Sequence, residues 1–100
     1  MRVMLRAHFD TAAANEGIQN GTMSEMVGRL METLKPESAY FGLSEGVRSC
    51  WIVFDMQDSA QLPPLAEDLF VQVNAEIEIF PVMNQDDLAK GLRALDRTAG

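Results

Sequence analysis

The sequence predicts an α+β fold, a four-stranded antiparallel sheet with helices on one face. Strand-like segments, with alternating or two-sided apolar residues, are interspersed with segments whose apolar residues recur at helical spacing. Their order is strand, helix, strand, strand, helix, strand. The connection between the two middle strands is short enough to make them an antiparallel hairpin. We expect residues 1–100 to form one such domain, because a chain of this length can bury its own core.

Composition and charge describe an ordinary globular protein without polyanionic partners. Hydrophobic residues make up 47% of the chain and charged residues 23%. The formal net charge of -7 repels phosphate backbones and anionic lipid, so we expect no nucleic-acid and no membrane partner. No apolar run approaches ~20 residues, and the chain opens directly into a strand. We therefore expect neither a membrane span nor a signal peptide, and a cytoplasmic location.

The first strand and the first helix are predicted from an alternation followed by a helix cap. Residues 2–9 alternate between apolar positions and a mixed polar set, as in a half-buried strand. Asp10 is a typical N-cap for a short helix over residues 12–19. Asn20 and Gly21, two poor helix formers in sequence, then interrupt this helix.

A second helix is predicted over residues 22–34. Thr22 and Glu25 have the spacing of a capping box at its start. Pro36 ends it, because proline constrains the residue before it. Apolar residues at i, i+3, i+4, i+7, i+8 and i+11 form one helix face. They are Met23, Met26, Val27, Leu30, Met31 and Leu34.

The two middle strands are predicted over residues 38–43 and 47–56, around a turn at residues 44–46. Between Arg48 and Asp55 the later strand is apolar on both faces, which indicates a strand covered on both sides. One face carries Cys50, Ile52 and Phe54, and the other carries Trp51 and Val53.

The third helix begins at a proline pair that only a first turn tolerates. Asp58 or Ser59 caps it, Pro63 and Pro64 lie in its first turn, and Asn74 ends it. Its apolar stripe is Leu62, Leu65, Ala66, Leu69, Phe70 and Val73.

A fourth strand and a C-terminal helix complete the chain. Residues 75–80 alternate as a strand does, and Pro81 closes it. Asn84, with Asp87 three residues on, starts a short helix whose last residues, 97–100, we expect to fray. This helix carries Leu88, Leu92 and Leu95.

The element order leaves one sheet face without helices. Two split βαβ units give the ferredoxin-like strand order 4-1-3-2, with both main helices on one face. The helix-facing residues are Val3, Leu5, Ala7, Phe9, Ala39, Phe41, Leu43, Cys50, Ile52, Phe54, Ile77 and Ile79. The opposite face carries Met4, Arg6, His8, Tyr40, Ser49, Trp51, Val53, Glu76, Glu78 and Phe80. The apolar residues of this face form an area too large for a soluble monomer to expose; they are Met4, Tyr40, Trp51, Val53 and Phe80. We therefore expect a homodimer in which the two sheet faces pack against each other, with a residual cavity between them.

This element order resembles the dimeric α+β barrel proteins, the superfamily of muconolactone isomerase and the small antibiotic-biosynthesis monooxygenases. The stretches Lys35–Phe41, Trp51–Met56, Ala75–Glu78 and Pro81–Met83 are similar to a family of bacterial proteins of that barrel type. The likeness spans roughly residues 15–95. It implies a dimeric barrel, but the superfamily covers oxygenases, isomerases, dehydratases and ligand-binding modules, so it implies no single activity. Haem-degrading relatives combine a haem-ligand histidine with a nearby asparagine. His8 lies on the first strand instead, and we expect no haem and no other cofactor.

Arg6, His8 and Glu78 are the candidate catalytic residues, because the predicted strand order makes them neighbours on the helix-free face. Arg6 would anchor an anion, His8 would move a proton, and Glu78 would orient one of the two. The structural alternative is a cross-strand pair of Arg6 and Glu78 that fixes the sheet register or meets the dimer partner.

Tyr40, Trp51 and Phe80 are the candidate ligand-binding residues. As aromatics on the helix-free face, they suit a pocket for a planar aromatic ligand, but aromatics at such places more often form the core of a dimer interface, and the two roles are compatible. Cys50, the only cysteine, forms no internal disulfide and is expected to be a buried hydrophobe rather than a nucleophile. One histidine and scattered acids offer no metal-ligand spacing, so we expect no metal site.

Two classes of function remain open. One is a cofactor-independent isomerase or monooxygenase that acts on a small organic acid or an aromatic compound. The other is a non-catalytic homodimer with a ligand-binding or structural role. Convergence of Arg6, His8, Tyr40 and Glu78 in one cavity would favour the enzyme, and a face closed by apolar side chains would favour the alternative.

Overall fold

A four-stranded antiparallel sheet with the first three helices packed on one face forms the fold, in a computed structural model that describes residues 1–99 and the side chains up to residue 95. The strands are β1 (Arg2–His8), β2 (Ser38–Ser44), β3 (Val47–Asp55) and β4 (Glu76–Pro81). The helices are α1 (Thr11–Asn20), α2 (Thr22–Leu34), α3 (Leu62–Val73) and α4 (Gln85–Ala99), and a 3₁₀ turn at Ser59–Gln61 leads into α3.

The strand order is β2-β3-β1-β4, with every neighbouring pair antiparallel. Read from the opposite edge, it is β4-β1-β3-β2, the order that two split βαβ units predict. The topology is thus compatible with a ferredoxin-like fold. β1 and β3 occupy the centre, and β2 and β4 form the edges.

The core lies between the helices and one face of the sheet. β1 alternates strictly between buried and partly exposed residues, as its apolar alternation predicts. The predicted face of α2 is confirmed: Met26, Leu30 and Leu34 are buried, and Met23, Val27 and Met31 pack against the core. From β3 the core receives Cys50, Ile52 and Phe54.

Three residues assigned to the core lie at the surface instead. Phe41 and Leu43 of β2, predicted to face the helices, are 50% and 80% exposed. β2 is an edge strand, and the helices leave its outer half uncovered. Phe70, at the margin of the predicted α3 stripe, is also exposed, whereas Leu65, Leu69 and Val73 of that stripe are buried.

Most of the predicted helix starts are confirmed, and one is wrong. The Asp10 side chain accepts a hydrogen bond from the Ala13 amide as the N-cap of α1. The capping box of Thr22 and Glu25 does not form, because α1 and α2 are separated by Gly21 alone. The Asn20 side chain instead accepts the Thr22 amide hydrogen bond at 3.0 Å.

The C-terminal helix is longer than predicted. Asn84 and Asp87 exchange backbone-to-side-chain hydrogen bonds at its start, as their spacing predicts. The helix then continues through Ala99, beyond the predicted onset of fraying at residue 97, and Gly100 lies outside the described residues. Nothing crowds Gly91 in mid-helix, and a single glycine there costs only about 1 kcal/mol.

Candidate functional site

The sheet face opposite the helices, called the open face below, carries its side chains in cross-strand rows. The pairing registers align three rows between β2 at one edge and β4 at the other. The first row is Ser38, Val53, Met4 and Phe80, the second is Tyr40, Trp51, Arg6 and Glu78, and the third is Gly42, Ser49, His8 and Glu76. All six predicted site residues therefore lie on this face, in neighbouring rows.

Arg6 occupies the middle of the second row. Its Nη1 lies 3.9 Å from Oε1 of Glu78, so the two residues form the cross-strand ion pair that was the structural alternative. Its Nε is buried and, within the part of the chain that the structure describes, has no hydrogen-bond partner. This N–H is therefore an unsatisfied buried donor.

His8 lies in the third row and is nearly buried, with 12% of its side chain exposed. Its Nδ1 lies 2.8 Å from Oγ of Ser49, its neighbour on β3. Its Nε2 lies 3.5 Å from Oε2 of Glu45, which belongs to the β2–β3 turn. The imidazole is thus held between a hydroxyl on one side and a carboxylate on the other.

The Ser49 hydroxyl lies between His8 and two backbone carbonyls. Its Oγ is 2.8 Å from Nδ1 of His8, 3.1 Å from the Val47 carbonyl and 3.5 Å from the Ser44 carbonyl. Its single proton can go to Nδ1 or to a carbonyl, so the direction of the His8–Ser49 hydrogen bond depends on the imidazole tautomer. When Nδ1 carries the ring proton and donates to Ser49, Nε2 is the basic nitrogen of the neutral ring. Ser49 itself is 2% exposed, so it is a buried partner of His8 and not an accessible nucleophile.

Glu45 adopts an unusual backbone conformation beside His8. The β2–β3 turn consists of Glu45 and Gly46, with φ of 54° and 80°, so both central residues have the positive φ of a type I′ turn. Asparagine, aspartate or glycine is the usual residue at the first of these positions. A glutamate there is less favourable for the turn, and its carboxylate is the group that reaches His8.

A cavity of about 450 Å³ opens beside His8, at the end of the sheet where β1 passes into α1. Its lining includes the carboxylate residues Asp10, Glu45 and Glu76, together with Thr11 and Asn74. Arg6, Tyr40 and Glu78 do not line it. Within one copy of the chain, then, only His8 of the predicted catalytic residues faces this cavity, and Arg6 and Glu78 form a separate pair one row away.

The predicted aromatic residues lie in the first and second rows of the open face, away from the cavity beside His8. Tyr40 and Trp51 are direct cross-strand partners, and Phe80 lies opposite Met4 in the adjacent row. The Trp51 ring lies close to Gly42: a Cβ atom at position 42 would be 3.5 Å from the indole. Tyr40 is largely exposed, so the open face presents an aromatic surface to solvent.

Cys50 lies in the core, on the face away from this site. Burial raises the pKa of its thiol to about 11, and the thiol belongs to the core cluster. A thiol with that pKa is almost wholly protonated near neutrality and is a poor nucleophile. This supports the interpretation of Cys50 as a structural residue.

We expect Cys50 to resist thiol reagents in the folded protein. At pH 8 the raised pKa reduces the thiolate fraction by about 200-fold relative to an ordinary cysteine, and burial slows access further. Titration with a chromogenic disulfide reagent should show reaction at least ~100-fold faster in denaturant than in buffer. Comparable rates in the two conditions would mean that the thiol is accessible in the native state.

Other features of the described chain offer no competing site. A second cavity of about 320 Å³ lies between α2 and α3, beside the Arg29–Asp68 ion pair, and contains none of the predicted site residues. Among the described residues, no group of three or more histidine, cysteine, aspartate or glutamate side chains is placed to hold a metal ion. No helix in residues 1–99 combines the length and the apolar character needed to cross a membrane.

Sequence reasoning did not identify Glu45 or Asn74, and it placed Ser49 on the open face without a role. The signal for Glu45 was its position before Gly46 in a two-residue turn, where a charged side chain is an unusual choice. Comparisons of the chain with protein-family models, with curated proteins and with solved structures find no match. The residues of the chain itself are therefore what bears on its function.

Proposed function

We propose that the protein is a homodimer that binds a small aromatic or carbonyl compound beside His8 and isomerises it by proton transfer without a cofactor. The observation that carries the proposal is the placement of His8 at the cavity, with Nδ1 hydrogen-bonded to Ser49 and Nε2 beside Glu45. In the tautomer that donates from Nδ1 to Ser49, Nε2 is the basic nitrogen. A positioned histidine is the commonest general acid–base group in proteins.

The proposed step begins with proton abstraction. Nε2 of His8 takes a proton from the α carbon of a β,γ-unsaturated carbonyl compound, which leaves a dienolate. The resulting imidazolium lies beside the Glu45 carboxylate, which balances its charge. The same Nε2 then returns the proton to the γ carbon, so the double bond moves into conjugation, the product is an isomer of the substrate and the enzyme is unchanged.

The charges around His8 favour a neutral compound over an organic acid at this position. Asp10, Glu45 and Glu76 all line the cavity, and their carboxylates repel an anionic group. Arg6, the predicted anion anchor, is already paired with Glu78. The substrate of this proposal therefore carries no acid group.

The homodimer of this proposal is supported by the open face. In a single copy, Tyr40 is 68% and Phe80 36% exposed, and Trp51 is partly exposed beside Tyr40. A second copy on this face would remove the aromatic surface from water and shield the cavity beside His8 from bulk solvent. The dimeric α+β barrel family that the sequence resembles has this arrangement.

The second candidate is a non-catalytic ligand-binding or structural homodimer. The Arg6–Glu78 pair favours it, because a cross-strand ion pair that fixes the sheet register needs no substrate. In that case the His8–Ser49 hydrogen bond would also serve to satisfy two polar groups near the sheet end.

The distinguishing experiment removes the imidazole of His8 and the guanidinium of Arg6 without disturbing the fold. We expect His8→Gln and the double variant Arg6→Gln, His8→Gln to fold and dimerise normally but to lose binding of neutral aromatic ketones. Binding is measured by amide chemical-shift changes in a fragment screen, with residues of the cavity lining as reporters. Glutamine retains a hydrogen-bond donor toward Ser49, so the third row keeps its packing.

Glu45→Asn provides the matched control for the turn. Asparagine suits the positive φ of this position better than glutamate, so thermal stability should stay the same or rise, while the carboxylate beside His8 is lost. Weaker ligand binding by the Glu45→Asn variant, with an unchanged or higher Tm, would assign Glu45 to the site. Loss of several kcal/mol of stability in the Arg6 and His8 double variant, without a ligand effect, would favour the structural candidate instead.

A further inference from the structure

The most exposed apolar helix face of the described chain lies on α4. Leu88, Leu92 and Leu95 are 46%, 52% and 64% exposed. Their 4-3 spacing places them on one side of the helix, whereas Lys90 and Arg93 fall on the opposite side. This is the pattern of a helix that packs on an apolar surface, yet α4 makes no extensive contact with any other described element.

An unsupported helix of this length is at the limit of stability in water. α4 has 15 residues, and isolated helices of about that length are marginal unless an apolar face is packed. The molecule is 60 Å long in its greatest extent but only 28 and 18 Å in the other two, which fits a helix that projects from the body. The leucine stripe therefore lacks the packing that a stable helix needs.

The attachment of α4 places it on the open-face side of the sheet. Arg2 belongs to the same side of β1 as Met4 and Arg6, by strand alternation. Its guanidinium forms ion pairs with Asp87 in the first turn of α4 and with Glu37 just before β2. α4 thus starts beside the face on which the second copy would lie.

We propose that α4 is an arm that packs its leucine stripe, Leu88, Leu92 and Leu95, against a second copy of this chain. The proposal rests on the homodimer of the proposed function and adds a second contact to it. The arm begins next to the open face, so one partner can contact both surfaces. In a two-fold dimer each chain would extend its arm over the other.

The area of the open face supports an additional contact. Four strands spaced by about 4.8 Å and six paired residues rising about 3.3 Å each give the open face a projected footprint of about 400 Å², and side-chain relief makes its accessible area somewhat larger. A standard stable interface buries about 800 Å² on each partner. A helix of about 22 Å, laid along the partner, adds the kind of contact that the sheet face lacks.

The test measures the dimer dissociation constant by sedimentation equilibrium in full-length variants. Leu92→Ser should raise it at least tenfold, and Leu95→Ser should act in the same direction. Both residues are exposed in one copy, so neither change disturbs the core. Val71→Ser on α3 is the matched control, since Val71 is 74% exposed and lies outside the stripe. It should leave the dissociation constant unchanged.

Hydrogen exchange provides an independent readout. In a monomeric Trp51→Glu variant, the amides of residues 90–95 should lose protection, because the arm has no partner. An unchanged dimer dissociation constant in both leucine variants would overturn the proposed contact of α4, whatever the dissociation constant of Trp51→Glu. Dissociation by Leu92→Ser with an intact Trp51→Glu dimer would support the arm and overturn the open-face interface. A wild-type monomer at micromolar concentration would overturn both.

Discussion

If the chain forms the homodimer that we propose, Trp51→Glu should convert it into a monomer. Trp51 lies in the middle of the open face, between Tyr40 on β2 and Arg6 on β1. Tryptophan at the centre of an interface is a typical hot spot, and truncation of such a residue costs about 2–4 kcal/mol. A buried glutamate adds the cost of desolvating its charge. We therefore expect the dimer dissociation constant to rise by at least ~100-fold, as measured by light scattering after size exclusion.

The fold of the single chain should survive this change, because Trp51 points away from the core residues Cys50 and Ile52 that flank it. Circular dichroism of the sheet and of α1 to α3 checks this. Val71→Glu introduces the same charge at an exposed position on α3 and should remain dimeric. A wild-type monomer at micromolar concentration, or a Trp51→Glu dimer as tight as the wild type, would contradict the open-face interface.

Leu30→Ala should destabilise the folded state by ~2–5 kcal/mol, the range for leucine-to-alanine changes in cores. Leu30 is 6% exposed and belongs to the cluster that α2 shares with β1 and β3. The loss combines the removed apolar area with the cavity left behind. Chemical denaturation, analysed for the midpoint and the slope, measures the free energy of unfolding.

Val71→Ala is the matched control, because it shortens an apolar side chain on a helix at an exposed position. It should change the free energy of unfolding by less than ~0.5 kcal/mol. For Leu30→Ala, a loss below ~1 kcal/mol would place Leu30 outside the core and contradict the assigned face of α2. Measurements on the Trp51→Glu background remove any contribution from dimer dissociation.

The sequence by itself determined the elements whose signals are local. The apolar face of α2, the first-turn position of Pro63-Pro64 and the Asn84–Asp87 cap each depend on residues a few positions apart. Strand order also followed, because a short hairpin and two crossovers leave few ways to arrange four strands. These features need no knowledge of which distant residues meet.

Tertiary structure decided which apolar residues are covered. Phe41 and Leu43 have the right alternation for the core, but coverage depends on how far the helices extend across an edge strand. The Thr22 cap failed for a related reason, since the close junction of α1 and α2 provided Asn20 as a competing acceptor. The exposure of the leucines of α4 likewise follows from where the helix leaves the sheet, which its own pattern does not encode.

In the candidate site, too, the sequence determined some features and the tertiary structure determined the others. Strand alternation placed Arg6, His8 and Glu78 on one face, and the register then paired Arg6 with Glu78. The partners of His8 are set by contacts between residues far apart in the chain: Ser49 by the pairing of β1 with β3, and Glu45 by a turn folded back toward the first strand. The surroundings of both ring nitrogens of His8 are set by that second set of contacts, which the alternation of β1 alone does not reveal.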